Sequence, residues 1–121
     1  MIEPAAMIGR ANEPLWHPYT NGSTLGGTGS ESGVILRDEE HDDGARITLE
    51  QGGRIAPFAI TCGIYGLMMH TAFASSEPEG VAKYEAMKKR LEALLDGLEF
   101  HTTEMDDALD DALQAFCDDF N

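Results

Sequence analysis

The chain has 121 residues, with 22 Asp and Glu against 8 Lys and Arg, a net charge of -14, and 42% apolar residues of which few are aromatic. That length allows one domain with a single core, and the apolar share is too high for a chain disordered throughout. So few basic residues exclude direct binding to nucleic acid or to an anionic membrane, since both need Lys and Arg at the phosphates, whereas a basic protein is attracted.

In chain order, residues 1–32 read as an irregular, partly flexible N-terminal segment. Pro4, Pro14 and Pro18 punctuate it, and residues 20–33 are a tract of Gly, Ser and Thr with one aliphatic residue, Leu25. Trp16 and Tyr19 are the exception: two aromatics are costly to leave in water, so residues 15–19 are expected to anchor on the domain. Residues 1–9 have neither the basic stretch nor the apolar run of a signal peptide, which makes a cytoplasmic location the expectation.

Strand signals begin at Gly33. Val34, Ile35 and Leu36 form a short apolar run, Asp38 to Gly44 reads as a polar loop, and Ile47 and Leu49 then alternate with Arg46, Thr48 and Glu50. Period-two alternation predicts an antiparallel pair with one face on the core and one charged face toward water. Residues 55–76 are 22 consecutive residues without a formal charge, long enough for a membrane span. Pro57, Gly63, Gly66, His70 and several Ser and Thr break that reading, and a buried hairpin is preferred. A tight turn centred on Tyr65 and Gly66 sets Phe58 opposite Phe73, Ile60 opposite Thr71 and Cys62 opposite Met69 on a large apolar face. Ala59, Thr61, Gly63, Met68, His70 and Ala72 then share a smaller face.

Two helices follow. Ser76 with Glu79 makes a capping box, and Val81, Tyr84, Met87, Leu91, Leu94, Leu95 and Leu98 recur at spacings of three and four, predicting an amphipathic helix of about five turns that Gly97 weakens or ends. A second helix is expected to start near Thr102 or Thr103, with Met105, Leu109, Leu113, Phe116 and Phe120 on one stripe and Asp residues over the rest. The fold class is therefore α+β: a four-stranded antiparallel meander from about Gly33 to Ala74, a long amphipathic helix on one face, and an acidic amphipathic helix at the carboxyl end. Residues 33–121 form the single domain.

For chemistry the residues offer little that converges. Asp106, Asp107, Asp110 and Asp111 share helical spacing, but without a calcium loop they read as a solvated face, and no metal or cofactor is expected. His70 has no acidic partner inside the hairpin to orient it as a base. Cys62 has no local cation or helix start to make it a nucleophile, and Cys62 and Cys117 read as free thiols in apolar patterns. Residues 22–29 lack the Lys and flanking elements of a phosphate loop. The uncharged small face of the hairpin is an interaction surface or a covered one.

Two function classes result. The first is a non-catalytic protein acting through protein–protein binding, with a homodimer as one form of it, and in its sharper form an inhibitor of the phage or immunity kind. It would present Asp106, Asp107, Asp110, Asp111, Asp118 and Asp119, with Glu39, Glu40, Asp42 and Asp43, to a basic nucleic-acid-binding partner. The second is a small enzyme or ligand-binding domain with a site near Thr61, Tyr65, Met68 and His70. Residues 91–121 hold ten acidic and no basic residues, so the acidity belongs mostly to the terminal helix. Lys83, Lys88, Lys89 and Arg90 on the preceding helix are placed to neutralise part of it.

Overall fold

A computed structural model describes residues 15–98 and 107–121. The chain forms β1 (Trp16–Pro18), β2 (Val34–His41), β3 (Ala45–Gln51), β4 (Phe58–Ile64), β5 (Met68–Ala74), α1 (Glu77–Leu98) and α2 (Asp107–Asp119). The strands lie in the order β1-β2-β3-β4-β5, each antiparallel to its neighbours. The expected cap residues Thr102 and Thr103, and Met105 and Asp106, fall outside the described residues.

The sheet has five strands, where alternation predicted four. The added strand is three residues long and ends in a proline, too short to display a period of two. What places it is Trp16, which is buried and meets the His41 ring edge-on at 5.0 Å, while the Asp42 N–H donates to the Leu15 carbonyl at 3.0 Å. A short edge strand with a proline is a common way to finish a sheet.

The hairpin register also differs from expectation, by one residue. Ile64 faces Met68, Cys62 faces His70 and Ile60 faces Ala72, so the loop is Tyr65, Gly66 and Leu67. The cause is local. A two-residue hairpin turn needs a positive φ at its first central residue, which Tyr65 resists, whereas Gly66 takes φ +81° at the second and the Leu67 N–H closes on the Ile64 carbonyl at 2.9 Å. One extra loop residue turns every β5 side chain over relative to β4. His70 and Ala72 therefore join Ile60 and Cys62 beneath the helices, and Met69, Thr71 and Phe73 go to the other face with Ala59, Thr61 and Gly63.

On the helix-covered face Ile47, Leu49, Ile60 and Ala72 are buried against Tyr84, Met87, Leu91 and Leu95 of α1 and Phe116 of α2. The start of α1 is set by Ser76, whose hydroxyl accepts the Glu79 N–H at 3.4 Å. The Glu79 carboxylate reaches back to the N–H and hydroxyl of Ser75, one residue earlier than a standard box, at 3.2 and 2.9 Å. Gly80 lets the first turn touch the sheet, for a Cβ there would lie 3.2 Å from that of Phe58. Farther along, Glu39 accepts hydrogen bonds from Tyr84 and Lys88, and Arg37 reaches Glu85 at 2.8 Å, clamping α1 to β2. Burial and the Glu39 hydrogen bond hold the Tyr84 phenol well above its ordinary pKa. No helix among the described residues is long and apolar enough to cross a membrane.

Candidate functional site

Among the described residues the opposite face of the sheet carries no α-helix, only the short 3-10 turn Tyr19–Gly22. Its floor is a row of residues in register across four strands: Asp38 on β2, Thr48 on β3, Thr61 on β4 and Thr71 on β5. The Thr61 and Thr71 hydroxyls are 3.1 Å apart, and Thr48 donates to Asp38 at 3.3 Å. Arg46 gives Asp38 two further hydrogen bonds, at 2.9 and 2.7 Å, Thr24 adds one at 2.8 Å, and the Arg46 guanidinium stacks 3.6 Å above the Tyr19 ring. Burial alone would raise the Asp38 carboxyl; the hydrogen bonds from Arg46 and Thr24 and the guanidinium charge outweigh it and hold the group below its ordinary range.

A second carboxylate organises the glycine-rich tract. Glu50, only 1% exposed, accepts the N–H of Gly33 at 3.0 Å, the N–H of Glu31 at 3.2 Å and the Ser30 hydroxyl at 3.5 Å. Gly29 passes so close that a Cβ would fall 2.3 Å from the carboxyl carbon. Residues 24–35 are further tied by backbone bonds from Gly26 to Ile35, from Ile35 to Gly27 and from Gly29 to Gly33. This loop is one wall of a cleft of about 700 Å³ over β3 and β4, whose far end is the β4–β5 turn with Tyr65, Met68 and Met69. The Tyr65 hydroxyl donates to Glu40 at 2.7 Å. Desolvation, then that hydrogen bond, push its pKa up to about 12.

The residues singled out in the sequence thus part company. Thr61, Tyr65 and Met68 line the cleft. His70 does not: it lies beneath α2, and its Nε2 is 2.7 Å from the Phe120 carbonyl. Since a carbonyl only accepts, Nε2 carries the proton. Its ring meets Phe116 edge-on at 6.2 Å. Cys62, next to it in register, is buried, and burial pushes its thiol up to about 12, which makes it a poor nucleophile.

Along α2, Asp110, Asp111, Asp118 and Asp119 are exposed. Arg90 binds Asp119 at 3.0 Å, and Gln114 donates to Asp118 at 3.1 Å. Of the other three expected neutralising residues, Lys88 is engaged on Glu39 and Lys83 on the Phe73 carbonyl and Glu79, while Lys89 is exposed. Asp106 lies outside the described residues and Asp107 opens α2. In the β2–β3 hairpin Glu39 is taken up by the α1 clamp and Glu40 by Tyr65, while Asp42 is exposed and 2.6 Å from His17. Among the described residues no group of three or more His, Cys, Asp or Glu converges to hold a metal.

Sequence reasoning missed Glu50, which alternation had placed on a solvated face. Its signal was indirect: a glycine tract supplies backbone N–H groups with no side chains to shield them, and such a tract needs an acceptor. No protein-family model matches the chain, and neither does any curated protein or solved structure.

Proposed function

We propose that this is a non-catalytic acidic protein that works by binding a basic protein, in the manner of an inhibitor that occupies a groove meant for nucleic acid. The observation that carries this reading is the state of α2. Of the four cations on α1 that were candidates to neutralise it, Arg90 reaches an α2 carboxylate, and among the described residues Asp110 and Asp111 have no cationic partner. Solvated carboxylates left unpaired along a helix attract a basic surface at long range and speed encounter, with a strong dependence on salt. The groups that would serve an enzyme near the hairpin are unsuited to it: the Cys62 thiol is buried and the His70 Nε2 is committed to a carbonyl.

The test uses the intact chain, since Phe116 and Leu113 are buried and truncating α2 would open the core. Wild type and the variant carrying Asp110→Asn, Asp111→Asn and Asp118→Asn are immobilised and challenged with basic nucleases at low and high salt. The expected outcome is capture and inhibition by wild type at low salt, with association slowed about tenfold or more in the variant. Equal capture by both proteins at both salt concentrations would remove the acidic helix from the interface.

A second reading has its own observation, the 700 Å³ cleft with Thr61, Tyr65 and Met68 in its lining, a volume in the range of small-molecule sites. A ligand there would raise the melting temperature of wild type and not of Thr61→Trp, which fills the floor.

A further inference from the structure

We propose that β5 is a self-pairing edge and that two copies of the chain join along it, antiparallel about a two-fold axis through Thr71, into one ten-stranded sheet. The inference starts from the direction of the backbone groups. The Tyr65 N–H donates to the Gly44 carbonyl beside the Ala45 and Ile64 pair, so the N–H and C=O of Ile64 point away from β3, toward β5. Alternation then aims Cys62, Ile60 and Phe58 the same way, and Met68, His70, Ala72 and Ala74 return those bonds. Met69, Thr71 and Phe73 are left with N–H and C=O groups directed out of the sheet. The Phe73 carbonyl shows this directly, since Lys83 reaches around to it at 2.6 Å.

The two edges of the sheet differ in how they are closed. β1 has three residues and a proline that lacks an N–H, whereas β5 has seven residues in unbroken register, with no charge, no proline and no bulge. In a chain of net charge -14, β5 falls inside the 22 residues that carry none, where two copies approach with least repulsion.

The sequence of β5 also complements itself. With Thr71 opposite the second copy's Thr71, Met69 falls opposite the second copy's Phe73, and all three outward-directed residues of each chain meet as hydrogen-bonded pairs. Met69 is 73% exposed in the monomer and would lie against an aromatic ring. The threonine row that runs from Thr48 through Thr61 to Thr71 would continue into the second copy. Lys83 occupies one of two lone pairs on the Phe73 carbonyl and leaves the other for the ladder. Because Met69 also lines the cleft, the second copy would build one end of it. The pairing does not depend on the basic partner proposed above.

Sedimentation equilibrium on the full chain should give twice the 13.1 kDa chain mass. Thr71→Pro removes two exchanged hydrogen bonds and is expected to raise the dissociation constant roughly tenfold or more. Thr71→Lys, which sets two cations face to face on the axis and suits an exposed edge, is expected to give a folded monomer by far-UV circular dichroism. Register is read by cross-linking. A hydrogen-bonded antiparallel pair has Cα atoms about 5.5 Å apart, within disulfide range, so mild oxidation of Thr71→Cys should link the dimer covalently. Met69→Cys, whose own copies would stand about 14 Å apart at some 3.4 Å per residue, should not link, nor should wild type with Cys62 and Cys117. A wild-type chain that stays monomeric at millimolar concentration overturns the proposal. So does a dimer unmoved by Thr71→Lys, or one that links through Met69→Cys and not Thr71→Cys.

Discussion

On one side of the sheet Ile47, Leu49 and Ile60 are packed under two helices, while on the other the residues that follow each of them in sequence, Thr48, Glu50 and Thr61, face a cleft and a glycine-rich loop. The same alternating strands serve both sides, yet the means of stabilisation differ. Beneath the helices it is apolar area removed from water. On the open side it is two carboxylates, Asp38 and Glu50, whose side chains are shielded as thoroughly as the core and whose acceptor capacity is filled by hydrogen-bond donors. Asp38 has a guanidinium for a partner, whereas Glu50 relies on two backbone N–H groups and a hydroxyl. An open sheet face can thus be as sensitive to substitution as a core without containing one.

Four substitutions would sharpen or break that contrast. The largest loss is expected on the helix side, where Ile47→Ala leaves a cavity between β3 and α1 and should cost about 3–4 kcal/mol in urea denaturation. Next comes Glu50→Leu, which strands the N–H groups of Glu31 and Gly33 and should cost about 2–3 kcal/mol, with faster amide exchange at those two positions. A loss under about 0.5 kcal/mol, the usual figure for a surface site, would show that the open face is ordinary surface.

Asp38→Asn should cost about 1–2 kcal/mol at neutral pH, a figure reduced because Arg46 is one-third exposed. Its pH dependence has a definite sign. The folded carboxyl titrates below its ordinary value of 3.8, so its contribution is fully present above that value and is lost as the pH falls through the folded one. Denaturation midpoints of wild type and variant should converge in that acid range. An acid limb remains in the variant, because Glu39 is also held below its usual 4.5: burial alone would raise it, and the hydrogen bonds from Tyr84 and Lys88 with the Lys88 charge outweigh that. The smallest effect, within about 0.5 kcal/mol, is expected for Thr61→Val, since the half-buried Thr71 hydroxyl can turn to water. A larger loss would mean that the threonine row acts as a unit.

Much of this arrangement could be read along the chain. The spacing of Tyr84, Met87, Leu91 and Leu95 marks α1 and its buried stripe, and these four are at most 2% exposed. Ser76 and Glu79 mark its start, and the alternation of Ile47 and Leu49 marks β3. The cleft was legible only in pieces: Thr61, Tyr65 and Met68 were singled out, but with His70, which lies across the sheet from Thr61, and Met68 reaches the cleft only at the β4–β5 turn while its side chain packs on the core side. The error came from a single loop residue, because a period of two converts a one-residue slip into an exchange of faces. Glu50 was invisible as a buried group because its donors lie 17 and 19 residues away, in a tract whose composition gives no strand or helix pattern.

Local patterning by itself determined the α+β class, the order of the four longer strands and two helices, and the concentration of acidic residues toward the carboxyl end, since each depends on neighbours within a few positions. Tertiary structure alone decided which face His70 occupies, that Trp16–Pro18 completes the sheet, which cations of α1 reach α2, and that two carboxylates on the polar side of the strands are buried. Those outcomes depend on hydrogen bonds and ion pairs between residues far apart in sequence, and a carboxylate reads the same along the chain whether its donors are to be water or backbone amides.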